Sequence, residues 1–261
     1  MQRRRFVQSL IAATAAAQIA GVAPALALDE GEVGKEVFLE LRDGGDLLFD
    51  SPYYEHLNEV GEIIAMAVKS RYPYPLRYYV VKGDSANAFS VPGGNIYVNE
   101  PLLRLVRNRD ELGGVIAHET GHMVLHHVAK NMKNAQTAGI IGTIGSVAAQ
   151  ILLGPLGALP AQYALNTLQD AQDNNLSRHI EAQADEEGAR IVASTNDLNP
   201  YGMIWFFEVM QKLYGSHGAY WEQNHPFDSQ RITDLEHLFA ENPQIFGKYK
   251  NTPSRRDEVY W

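Results

Sequence analysis

Residues 110–129, DELGGVIAHETGHMVLHHVA, decide how the chain is read. Leu112, Val115, Ile116 and His118 fall at helical spacing, and Asp110 is a good N-cap, so the stretch reads as a helix ending near Ala129. Within it stands His118-Glu119-Thr120-Gly121-His122, an H-E-x-x-H pattern. Residues four apart share a helix face, so both imidazoles can reach one cation while Glu119 lies beside them without ligating it. A carboxylate placed there can take a proton from metal-activated water and pass it to a leaving amine. Zinc suits two neutral imidazole nitrogens and a carboxylate with a fourth position open. Ala117 before the motif and Met123, Val124 and Leu125 after it make its flanks apolar. A His-Glu-His set on a buried face is costly without compensation, which favours one bound ion over a metal-free polar cluster.

The third ligand is the next question. The extended form of the motif places a glycine three residues, and a third histidine six residues, beyond the second ligand. Leu125 and Val128 stand there, so that form is absent. A second helix with Ser177 as its N-cap, running to about Ala193, carries Glu181 and Asp185 one turn apart on one face. Glu181 can complete the metal shell while Asp185 accepts the outer N–H of a ligand imidazole. By composition alone, an exposed helix carboxylate is the better reading of Glu181.

Further out, residues 34–41 read as a short helix. Residues 53–71 read as a longer one, with Leu57, Val60, Ile63, Ile64 and Val68 on its apolar stripe. Residues 77–82 are strand-like, and Val91-Pro92-Gly93-Gly94 is a turn signal between two runs of β-formers at 86–90 and 95–98. From Pro101 onward the patterns are almost all helical. Helices and a small sheet in separate blocks make an α+β domain.

The chain has 261 residues, 45% hydrophobic and 20% charged, with no fixed-period repeat or linker to divide it. Residues 28–261 therefore read as one domain. Cysteine is absent, which excludes disulfides, thiolate ligands and a cysteine nucleophile. The net charge of −9 becomes −12 once Arg3, Arg4 and Arg5 are set aside, which argues against nucleic acid as a partner. Those arginines precede an apolar run at 10–22 and Pro24-Ala25-Leu26-Ala27, the layout of a signal peptide over residues 1–27. Arg3-Arg4 also fits a twin-arginine signal, so export to the periplasm with cleavage near Ala27 is expected. Residues 137–165 are apolar and rich in Gly and Ala, broken by Pro155 and Pro160. Neither half reaches the roughly 20 residues that span a bilayer. They read as a packed helical hairpin, or as a lid or plug over the site, or as a surface that touches a membrane or an envelope protein.

Four blocks in order carry a resemblance. They are Asn87-Ala88-Phe89-Ser90-Val91-Pro92-Gly93-Gly94-Asn95-Ile96-Tyr97-Val98, Ala117 to His122 with His127, Ser177 to Glu181 with Ala184-Asp185, and His225-Pro226 with Arg231-Ile232. With these the chain resembles the M48 metallopeptidases, the group that includes HtpX, BepA and the CaaX prenyl protease. The resemblance implies a mainly helical zincin-type (gluzincin) fold with a small sheet whose edge strand borders the cleft. It implies one Zn2+ per chain on His118, His122 and Glu181, Glu119 as general base and acid, and Asp185 behind the ligands. It places His225 close to the zinc, where it stabilises an oxyanion or fills the open metal position; an ordinary loop histidine is the plainer reading. Arg231 would pair with a cleft carboxylate or add packing. Gly94, Asn95, Ile96 and Tyr97 would border the cleft and pair with an extended substrate backbone. Long apolar spans and a C-terminal helical-repeat domain, found in some members, are not seen here. The expectation is a zinc endopeptidase for protein or peptide substrates in periplasmic quality control. The alternative is a chaperone-like or latched zinc module, and the intact Glu119 argues for catalysis.

Overall fold

The computed structural model describes residues 29–130, 133, 174–214, 225 and 229–252. The signal-like leader and the apolar stretch at 137–165 lie outside the described residues.

Helix α1 (Glu30–Asp43) is capped by Asp29, whose Oδ1 accepts from Glu32 N at 3.0 Å, and it buries Val33, Val37 and Leu41. Helix α2 (Tyr54–Val68) buries Leu57, Val60, Ile64 and Val68, as the spacing predicts. After them come strands β1 (Arg77–Val81), β2 (Ala88–Val91) and β3 (Asn95–Asn99). Pro92-Gly93-Gly94 joins β2 to β3, and both glycines have positive φ (93° and 99°), a conformation that side-chain-bearing residues resist.

The sheet order is β1-β3-β2, with β3 parallel to β1 and antiparallel to β2. Both faces are covered, so all five β3 residues are buried. One face bears Val81, Val91 and Tyr97 in a small cluster with Val33, Val37 and Leu41 of α1. The other bears Val80, Ala88, Ile96 and Val98, which join Leu57, Ile64, Leu112 and Ile116 in the main core.

After a short helix α3 (Glu100–Leu103) comes α4 (Arg109–Val124), in which every residue from Asp110 to Met123 is buried. Helices α5 (Asn174–Thr195), α6 (Tyr201–Tyr214), α7 (Gln230–Glu241) and α8 (Pro243–Phe246) complete a mostly helical α+β fold. Two expected caps move. Asn108, not Asp110, caps α4, its Oδ1 accepting from Asp110 N and Glu111 N at 3.1 and 3.0 Å. Asp110 instead accepts from Asn199 N at 2.9 Å, tying α4 to the turn before α6. Helix α5 begins at Asn174, ahead of Ser177. Helix α4 stops at Val124, short of Ala129, because His126 enters the left-handed region with φ 56°.

Candidate metal centre

Helices α4 and α5 approach closely because glycines line their crossing. A Cβ on Gly121 would lie 2.8 Å from the Ala184 carbonyl oxygen, and one on Gly188 would lie 2.9 Å from His118 N. That approach delivers Glu181 to the H-E-x-x-H face. His118 Nε2 is 3.2 Å from His122 Nε2 and 3.3 Å from Glu181 Oε2, and His122 Nε2 is 3.4 Å from Glu181 Oε1. His225 joins them, its Nδ1 3.3 Å from His118 Nε2 and 3.1 Å from Glu181 Oε2. Among the described residues, His118, His122, Glu181 and His225 form the one group able to hold a metal ion.

Ligand atoms bonded tetrahedrally to zinc at about 2.0–2.1 Å stand about 3.3 Å apart. The separations above cluster round that spacing. All four residues are buried, none more than 6% exposed. Without a divalent ion, the donor set draws positive charge from protons. Burial opposes a charged His118, but hydrogen bonds to Asp185 and Glu181 outweigh it and push its pKa up to about 9. Burial lowers the pKa of His122, and repulsion from His118 and His225 adds to that. Burial likewise opposes ionisation of Glu181, yet His225, His118 and His122 hold it well below the usual carboxylate range. The residues fit a zinc ion.

The surroundings are equally specific. His118 Nδ1 meets Asp185 Oδ1 at 2.8 Å. Arg231 donates to both Asp185 oxygens at 2.7 Å, and its Nη1 lies 3.3 Å from Glu181 Oε2. Its guanidinium also stacks 4.4 Å from the Phe207 ring centroid, so pairing and packing are both realised. Glu119 is fully buried and neither of its oxygens is hydrogen-bonded among the described residues. His225 Nε2 lies 3.2 Å from Glu119 Oε1, without the geometry of a hydrogen bond.

The Peptidase family M48 model matches residues 55–239. The chain belongs to peptidase family M48. The Beta-barrel assembly-enhancing protease of Yersinia pestis is 28% identical over 201 residues, covering 75% of this chain and 40% of that protein. Metalloprotease LoiP of Escherichia coli (strain K12) is 26% identical over 186 residues, covering 71% and 70%. Mitochondrial metalloendopeptidase OMA1 of Schizosaccharomyces pombe is 28% identical over 182 residues, covering 69% and 50%. The matched part of this chain spans only 40% of the Yersinia protein. Among the described residues no helix is long and apolar enough to cross a membrane.

In this M48 metallopeptidase the expectation of β3 as an open strand edge is corrected. Gly94, Asn95, Ile96 and Tyr97 do not offer a free strand edge, because β3 is hydrogen-bonded on both sides. Asn95 donates to Gly34 O at 2.8 Å, Ile96 lies in the main core, and Tyr97 stacks between Tyr79 and Phe89. The edge strand that packs on α4 is β2. One residue was named in the sequence without a role: His127, whose Nδ1 is 3.1 Å from His122 Nδ1. Burial and the neighbouring His122 lower its pKa to about 4. No periodicity points to it, because a chain reversal brings it there.

Proposed function

We propose that this protein is a zinc-dependent endopeptidase that acts on misfolded proteins of the cell envelope. One observation carries the reading: four buried side chains bring ligand atoms within 4.8 Å of one another beside a carboxylate, Glu119, whose oxygens no hydrogen bond occupies among the described residues. His118, His122 and Glu181 would hold one zinc ion. When bound, zinc supplies a Lewis acid and eases loss of a proton from water.

The remaining work falls to the chain. Glu119 takes that proton and returns it to the departing amine. Asp185 accepts from His118 Nδ1, which keeps the Nε2 lone pair facing inward, and Arg231 keeps Asp185 ionised while its Nη1 lies against Glu181. The outer edge of β2, which has no strand neighbour among the described residues, would offer backbone groups to an extended peptide, giving affinity with little sequence preference. The signal-like residues 1–27 and the name of the assembly-enhancing relatives support a place in the periplasm and protein substrates there.

A second reading follows from His225. With Nδ1 at the fourth ligand position and Nε2 against Glu119, it closes the site, which favours a latched resting form with a chaperone-like role. Zinc content and casein cleavage, measured for the wild type, Glu119→Gln and His225→Ala, separate the two. A working peptidase binds zinc in all three, and Glu119→Gln loses cleavage by about 10²–10⁴-fold. Faster cleavage by His225→Ala makes that histidine a latch. Zinc without cleavage in any of them favours the chaperone-like reading, and absence of zinc from the wild type rejects the metal site.

A further inference from the structure

His118 and His122 each have a second ring nitrogen, and the fold occupies the two differently. His118 Nδ1 meets a carboxylate, whereas His122 Nδ1 meets another imidazole, that of His127, at 3.1 Å with both rings buried. Two ring nitrogens at that separation share one proton, so one donates and the other accepts. If His127 donates, His122 carries its own proton on Nε2, and the nitrogen facing His118 and Glu181 has no lone pair to offer. If His122 donates, its Nε2 lone pair points inward with the other ligand atoms. We propose that His127 is a positioning residue: as acceptor from Nδ1–H, it sets the tautomer and ring orientation of His122 for metal binding. This inference rests on the zinc reading above.

The backbone is arranged for this contact. A continued α4 would place residue 127 about 140° round the helix from His122, out of reach of its ring. The helix ends at Val124 instead, and His126 takes φ 56°. A non-glycine residue there costs about 1 kcal/mol, and such outliers persist only where the surroundings enforce them. The enforcing contact comes from α1: His126 Nδ1 lies 3.1 Å from Glu30 Oε1, and Glu30 Oε2 accepts from the Tyr72 hydroxyl at 3.1 Å. The reversal turns His127 back onto His122, ring centroids 5.1 Å apart at 72°.

The test is zinc affinity of the full chain by competition with a chelator, read beside the cobalt(II) absorption spectrum and unfolding of the metal-free protein. His127→Ala is expected to weaken zinc binding by about 10–100-fold and to perturb the cobalt spectrum, beyond what any change in metal-free stability explains. His127→Asn, whose Oδ1 takes the place of the lost Nδ1 acceptor, restores most of the affinity. His127→Phe keeps the ring shape without the acceptor and does not. Nitrogen NMR of the zinc form then shows His122 protonated on Nδ1. Zinc affinity within about twofold of wild type in His127→Ala overturns the proposal. So does Asn performing no better than Phe, since His127 then only packs. A wild type that binds no zinc rejects the peptidase reading itself, a distinct failure.

Discussion

His118 and His122 lie four residues apart on one buried helix face, yet the fold surrounds them with opposite chemistry. Behind His118 stands a charged network, Asp185 and then Arg231, that ties α4 to α5 and α7. Behind His122 stands a neutral imidazole supplied by the turn that ends its own helix. The pKa directions follow: carboxylates outweigh burial at His118 and raise it, while burial prevails at His122 and lowers it. Helical spacing therefore presents two ligands to one metal but does not make them equivalent. The His118 side depends on packing between distant helices, and the His122 side on a local reversal.

The sharpest way to break this comparison is Arg231→Met, which keeps much of the bulk against Phe207 but leaves Asp185 and Glu181 buried without their cation. Removal of one partner from a buried ionic network costs about 3–5 kcal/mol. Chemical denaturation of the metal-free protein should show that loss, and a change below about 1 kcal/mol would mean that the His118 side is not charge-braced.

A smaller effect concerns pH. In the metal-free protein the folded pKa of His118 is raised to about 9 from 6.5, so its contribution is fully present below about 6.5 and is lost as pH rises through 9. Metal-free protein should therefore melt at lower temperature at pH 9 than at pH 7. Zinc must displace the His118 proton, so zinc binding strengthens over the same interval and the loaded protein should keep or gain stability. Parallel slopes for the two forms would remove the charged asymmetry between the imidazoles.

The smallest effect lies on the His122 side. At an ordinary helical position glycine is worse than alanine, but at φ 56° the order should reverse. His126→Gly should be more stable than His126→Ala by about 0.5–1 kcal/mol in denaturant unfolding. Equal stabilities would show that the turn does not depend on the left-handed residue.

Much of this was legible in the chain itself. The H-E-x-x-H spacing, the apolar stripe of α2 and the Pro92-Gly93-Gly94 turn are local patterns, and the structure realises each. The β3 expectation failed for an equally physical reason. Turn chemistry announces the β2–β3 hairpin but not which of its strands takes β1 as a second neighbour, because the parallel β1–β3 pairing is non-local. Asn95 and Tyr97 are expected at an exposed edge, yet both are buried, as is Asn99. Asn95 donates to Gly34 O, and Asn99 Oδ1 accepts from Asn87 N and Leu102 N.

What the sequence determined by itself was which chemistry is available: two imidazoles and a base on one helix turn, and a Glu-x-x-x-Asp pair on another helix, all set by the 3.6-residue period. Tertiary structure decided who meets whom. Glycine-lined contact between α4 and α5 brings Glu181 and Asp185 to His118, and α7 places Arg231 over both carboxylates. The reversal at His126 puts His127 behind His122. Periodicity acts over a few residues, whereas pairing of buried charges and completion of a metal shell depend on which surfaces bury one another, and those surfaces come from segments far apart in the chain.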